Sequence, residues 1–267
     1  MLFDNNLNGS IPQEIGSLKS LTELSLSSNS LSDFVPASLG NLSNLAYLHL
    51  QNNSFSGFVP SEIGNLSNLV ELDMGTNCLT GPVPPSFGNL RKLTLLQMSD
   101  NQISGSIPIE ITNKISLNSL SLHTNNLSGS IPTSGPLPDL IGNLSKLEVL
   151  YIRDNGFSSF FPQVIGNLKN LAVLRLARNR FTGICHKTSA EGIRNCTRLY
   201  LVRLDRNRLT GNLYEDFGVY PNLDNINLSD NLFYGELSPN WGRSLKLTTL
   251  QIARNNIKGN LPPEIGH

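Results

Sequence analysis

An asparagine returns along this chain at almost constant intervals: Asn5, Asn29, Asn53, Asn77, Asn101, Asn125, Asn155, Asn179, Asn207, Asn231 and Asn255. The interval is 24 residues, except for 30 before Asn155 and 28 before Asn207. Upstream of Asn53 lie Leu45, Leu48 and Leu50, the spelling L-x-x-L-x-L-x-x-N that the other copies share. Leu48 and Leu50 are two apart, so in an extended segment they point to one side while Tyr47, His49 and Gln51 point to the other. One such strand cannot bury its leucines alone, whereas parallel copies stacked side by side can.

Eleven in-phase copies with a period in the twenties are the signature of a leucine-rich-repeat solenoid. The expected fold is therefore α/β: a right-handed coil with one parallel concave sheet and short helices or 3-10 turns on the convex side. The turn after each strand exposes backbone donors and acceptors that must be paired. An Asn side chain offers both kinds of group, so a column of Asn can serve successive coils. Gly follows four residues later, as at Gly57, Gly81, Gly105 and Gly129, where tight approach or positive φ is expected. Pro follows at seven, as at Pro12, Pro36, Pro60, Pro84, Pro108, Pro132, Pro162 and Pro262, a place suited to a bend or an edge. Phe55, Phe157, Phe181 and Phe233 take the apolar place two after the Asn and read as core filling.

The repeat makes residues 1–267 one leucine-rich-repeat domain, expected as a fragment uncapped at both ends, since Met1 and His267 both fall inside repeats. Two copies are irregular. Thr133 to Pro138 holds six extra residues, and Gly183 to Leu199 holds a lengthened basic turn with His186 in the Pro place. The three cysteines are Cys78, read as half-buried, and Cys185 and Cys196, which share the irregular copy and form a disulfide only if oxidised. Catalytic residues are not expected: no P-loop, G-x-S-x-G, H-E-x-x-H or dinucleotide glycine motif occurs. Metal and cofactor sites are not expected either, with His49, His123, His186 and His267 isolated in sequence.

Formal charge is zero, which argues against nucleic acid as a partner. It is unevenly spread: residues 1–133 carry a net −5 and residues 134–267 a net +5. Such asymmetry favours an oriented ligand over a uniform polyanion. No run of 18 apolar residues is present, so any membrane attachment lies in a span outside this stretch. N-x-S/T sequons at Asn8, Asn41, Asn65, Asn126, Asn143 and Asn195 point to a glycosylated, secretory context. Asn52 and Asn227 also head sequons, and Asn227 falls on the strand face, where a glycan is not expected.

Residues exposed on the strands line one concave sheet, the usual binding surface of such coils. The middle place of successive strands reads Ser25, His49, Asp73, Gln97, Ser121, Tyr151, Arg175, Arg203, Asn227 and Gln251. The candidate ligand residues on this face are Tyr47, His49, Asp73, Gln97, Tyr151, Arg153, Arg175, Arg178, Arg203, Asp205 and Arg206. Arg suits two-pronged capture of carboxylate, sulfate or phosphate, and Tyr and Arg are the types enriched at binding hot spots. A solvated surface paired with Asp154 and Asp205 is the competing reading. Strands about 4.8 Å apart would take roughly 13 residues of extended peptide across ten copies. The expectation is a linear peptide whose anionic group or C-terminus is held by Arg153, Arg175 and Arg203.

The spelling L-x-G-x-I-P-x-x-I-G-N-L, seen in LNGSIPQEIGSL and FSGFVPSEIGNL, resembles the plant-specific class of leucine-rich repeats. The stretch from Arg194 to Gly242 resembles the ectodomains of plant receptor-like kinases of the MALE DISCOVERER-interacting group. That resemblance implies the plasma-membrane, extracellular part of a Ser/Thr kinase that signals by recruiting a co-receptor kinase. It departs from the family by lacking one repeat between Asn179 and Asn207 and the Cys-rich caps. Two alternatives stand beside it. One is a secreted or kinase-less repeat protein binding a folded protein, such as an inhibitor of cell-wall-degrading enzymes; the other is an intracellular scaffold.

Overall fold

The computed structural model describes residues 1–113, 116–131, 140–184 and 193–266. The chain divides into two compact units, Met1–Ser128 and Gly129–His267. In the first, the three-residue strands Glu23–Ser25, Tyr47–His49, Glu71–Asp73, Leu95–Gln97 and Ser119–Ser121 pair in parallel, each with the next. Leu24, Leu48, Leu72, Leu96 and Leu120 stand in register and are buried. In the second, Val149–Tyr151, Val173–Arg175, Leu201–Arg203, Asn225–Asn227 and Thr249–Gln251 pair in the same way.

The opposite side carries 3-10 turns such as Gln13–Ser17, Ala37–Asn41, Ser61–Asn65 and Gln163–Asn167. The recurrent Pro place has a clear local role. Pro12, Pro36, Pro60, Pro84 and Pro162 are the extended residues that immediately precede a turn, where a missing N–H costs nothing. Glycine inside the turn allows the turns to stack: a Cβ on Gly64 would stand 2.5 Å from the Ser86 carbonyl oxygen of the next copy. Between sheet and turns lie leucines and isoleucines with the rings of Phe55, Phe157, Phe181 and Phe233, all buried. Phe157 and Phe181 stack at 5.9 Å. Each such ring is worth about 2 kcal/mol in burial.

A second set of short strands follows each ladder Asn, which the sequence reading did not anticipate. Ser56–Phe58, Cys78–Pro82 and Gln102–Gly105 pair in parallel in the first unit. Thr182–Ile184, Arg208–Asn212, Leu232–Gly235 and Asn256–Ile257 do so in the second. The recurrent Gly lies in or at the end of this segment with φ 71–78° at Gly57, Gly81, Gly105 and Gly129, and Asp33 adopts φ 64° in the same place. Cys78 is exposed on this segment, which corrects the half-buried reading.

The described residues on either side of the 28-residue interval keep the regular pairing. Val173–Arg175 pairs directly with Leu201–Arg203, and Asn207 Oδ1 accepts from the Phe181 amide at 3.0 Å. Thr133 to Pro138, Pro132, Cys185, His186 and His267 lie outside the described residues. Cys196 is a free, buried thiol that donates to the Ile165 carbonyl at 3.1 Å, and its expected partner Cys185 lies outside the described residues. Burial pushes that thiol up to about 12, which keeps it protonated as a donor.

Candidate ligand-binding face

The strand face is set by the asparagine column. Asn101 shows the pattern: its Oδ1 accepts from the Leu79 amide at 2.9 Å, and its Nδ2 faces the carbonyls of Met74, Met98 and Ser99 at 3.0–3.3 Å. Asn53, Asn77, Asn125, Asn179, Asn207, Asn231 and Asn255 repeat it with the equivalent partners. Asn29 does so as well, and Asn155 holds Ile152 and Arg153 in its own copy. Asn5 is exposed, and its side chain binds only its own turn, donating to the Leu2 and Phe3 carbonyls.

The residue before every ladder Asn has a left-handed backbone, with φ between 51 and 57°. It is Asp, Ser, Asn, Thr or Arg, and φ of this sign is unusual for Thr76, Thr124, Arg178, Arg206 and Arg254. The strained step follows from the column: the Asn must turn inward directly after an outward strand residue. Arg178 and Arg206 therefore stand on a turn rather than on the strand. So do Asp154, named in the competing reading, and Asp230 and Arg254, whose part in the face the sequence reading missed.

In the second unit these places build a cationic cleft of about 240 Å³ lined by Arg153, Asp154, Arg175, Arg178, Arg203 and Asp205. Asp154 takes up two of the cations, Arg153 in its own copy and Arg178 at 3.3 Å from the next. Arg206 and Arg254 both pair with Asp230, which holds that carboxyl below its usual range, chiefly through the Arg254 hydrogen bond. Arg175 and Arg203 are different. They are register partners on adjacent strands, and neither has a carboxylate within 4 Å among the described residues. Arg175 lies over the Tyr151 ring at 4.8 Å, and its buried Nε has no hydrogen-bond partner. Arg203 reaches only Gln251 Oε1, at 3.4 Å. Burial raises the Asp205 carboxyl above its ordinary value, against the lowering pull of Arg203, Arg206 and Arg178.

In the first unit Tyr47 is partly exposed and sets its ring edge-on to His49 at 6.4 Å. His49 Nε2 lies 3.3 Å from Glu71 Oε2. Asp73 Oδ1 accepts from the Gly75 amide at 2.9 Å, and burial outweighs that bond to raise its pKa. Gln97 is half-buried and in register with Asp73. This patch is acidic and self-paired, with no unsatisfied cation.

Not every outward place on the strands reaches solvent. Ser25, Ser121 and Asn227 are 4%, 3% and 8% exposed, which corrects the reading of a uniformly open face. Short side chains are covered by longer register neighbours; Asn227, for one, lies between Arg203 and Gln251. Its Oδ1 also accepts from the Ser229 amide. Asn8, Asn41, Asn65, Asn126 and Asn143 are exposed, and Asn195 is half-buried.

Leucine-rich-repeat family models match residues 2–55, 44–103, 146–168 and 246–267. The chain belongs to the leucine-rich-repeat family. Its fold is that of plant receptor-kinase ectodomains. The Arabidopsis receptor kinase HAESA, in complex with the peptide hormone IDA and the co-receptor SERK1, matches at TM-score 0.90 and 32% identity. That match covers 99% of this chain and 43% of HAESA's. The plant peptide hormone receptor RGFR1, in complex with RGF2, matches at TM-score 0.74 and 30% identity over 98% of this chain and 48% of its own. A plant ice-binding protein matches at TM-score 0.72 and 25% identity over 98% of this chain and 74% of its own. The chain thus spans less than half of these two receptor chains. No curated protein sequence matches it.

Proposed function

We propose that the chain is the extracellular ligand-recognition region of a plant receptor-like Ser/Thr kinase at the plasma membrane, that its ligand is a secreted peptide, and that a co-receptor kinase is its second partner. The observation that carries this reading is the Arg175–Arg203 pair, side by side with no carboxylate within 4 Å of either among the described residues. Like charges opposite each other on neighbouring strands cost stability, and an anion bound between them offsets that cost. A peptide's C-terminal carboxylate, or an acidic or sulfated side chain, has the chemistry for it. Arg153, taken up by Asp154, serves as a flank rather than as a third prong. Tyr151 packs the Arg175 guanidinium from beneath and holds it ready.

The matched HAESA and RGFR1 complexes, each with a peptide hormone, support a peptide as ligand. The spelling from Arg194 to Gly242 supports the MALE DISCOVERER-interacting group as the nearer kin. Among the described residues no helix is long and apolar enough to cross a membrane, so in this reading the span lies elsewhere in the receptor. The exposed sequons Asn8, Asn41, Asn65, Asn126 and Asn143 suit an extracellular setting.

The test is a binding selection with secreted plant peptides synthesised twice, as free acids and as C-terminal amides. Capture of free acids, or of peptides with an internal acidic or sulfated residue, is the expected result. Recovery of no peptide, or of sequences bound irrespective of their anionic group, contradicts it.

A further inference from the structure

Away from the strand face, the second unit carries a cleft of about 560 Å³ lined by Asn212, Tyr214, Tyr234, Glu236, Asn256 and Lys258. That volume lies within the usual range of small-ligand sites. The residues that build it are departures from the repeat. Tyr214 stands seven after Asn207, where Pro12, Pro36 and Pro60 stand in their copies. Tyr234 and Lys258 stand three after Asn231 and Asn255, a place held by Ser32, Ser56, Thr80 and Ser104 elsewhere. The local backbone departs too: Leu213–Asp216 is an α-helical turn, and Asn212 caps it by accepting from the Tyr214 amide at 3.1 Å. Asn212, Tyr234 and Asn256 are register partners on three adjacent strands, so one phenol is flanked by two amides. Gly235 forms part of the wall, and any Cβ there would collide with Asn212 Oδ1. Both tyrosines stay about half exposed, at 52% and 49%.

The geometry points to a saccharide-binding site for a neutral oligosaccharide, separate from the arginine pair. A pyranose has apolar C–H faces and a rim of hydroxyls, each both donor and acceptor. Two phenol rings offer apolar faces with polar tips. The two amides donate and accept, Glu236 only accepts, Lys258 only donates, and their charges cancel. A proline-rich helix is the other ligand that seeks aromatic grooves. Its prolines lack N–H donors, so it offers Glu236 and the two amides fewer hydrogen-bond partners than the hydroxyl rim of a saccharide does.

The experiment titrates the full chain with cellotetraose, xylotetraose and mannotetraose, and separately with a proline-rich decapeptide, read by saturation-transfer NMR and calorimetry. At least one tetrasaccharide binds, and Tyr234→Ser, which reinstates the residue type of the other copies, weakens it about tenfold or more. Tyr214→Ala and Lys258→Ala weaken it as well, while Phe58→Ala in the first unit leaves it unchanged. Circular dichroism melts show which variants retain the fold, and Tyr234→Ser is chosen because its residue is native to this position elsewhere. Failure of all three saccharides to bind overturns the assignment. So does binding that Tyr234→Ser leaves intact, or binding of the decapeptide alone.

Discussion

At the scale of single residues, each ladder Asn joins two coils with one side chain. Asn101 satisfies a Leu79 amide in the preceding copy and carbonyls in both. Asn101→Ala leaves these buried groups unpaired and is expected to cost about 2–4 kcal/mol, read as a shift in the urea midpoint. Asn5→Ala, which removes bonds to its own exposed turn only, is expected to cost less than about 1 kcal/mol. The Asn was legible because its identity never changes. The left-handed residue before it was not, because Asp, Ser, Asn, Thr and Arg all occupy that place and no residue type marks it. The sequence offered Asp154 as a partner for the arginines but not which of them it takes; the structure pairs it with Arg153 and Arg178. Asp205 adds a pH dependence. Its pKa is raised in the folded chain, so its stabilising protonation is complete below 3.8 and lost as pH rises through the raised value. The same protonation removes a negative charge beside Arg203. Affinity for an anionic peptide is therefore expected to rise as pH falls from neutral toward that raised value, until the peptide's own carboxyl titrates near about 3.5. Asp205→Asn is expected to flatten the acid-side rise in a calorimetric pH series.

At the scale of elements, strands, turns and core places follow from the period alone, since Leu48, Leu72 and Leu96 can be buried only by stacking. The 3-10 turns need the glycine that lets them touch. Gly64→Ala places a methyl against the Ser86 carbonyl and is expected to cost about 1–3 kcal/mol in thermal or chemical unfolding. The second strand ladder was illegible for a physical reason. Its residues, as in Cys78–Pro82, include Thr, Gly and Pro and show no apolar alternation, because one side faces solvent and the pairing is made by backbone. Phe34 and Phe58, 68% and 69% exposed, cover Gly57 and Gly81 of the next copies there, so their rings serve neither the core nor the strand face.

At the scale of the whole molecule, the acidic half and the basic half of the sequence correspond closely to two compact units with different faces. In the first, His49 pairs with Glu71 and Asp73 accepts from the Gly75 amide; in the second, Arg175 and Arg203 are left over. Composition showed the asymmetry, but only the register showed which two cations lie together. If that pair exists for a ligand, removing it should not harm the free chain. Arg175→Gln with Arg203→Gln is expected to hold or raise the unfolding midpoint, by up to about 1 kcal/mol, through relief of like-charge repulsion. The most direct test of the central claim is calorimetric titration of this double variant with a selected peptide as free acid and as amide. Affinity for the free acid should fall about 100-fold or more while affinity for the amide stays the same, and Arg153→Gln should change neither by more than about threefold. A double variant that binds the free acid as tightly as the unaltered chain would contradict the claim that these two arginines hold an anion.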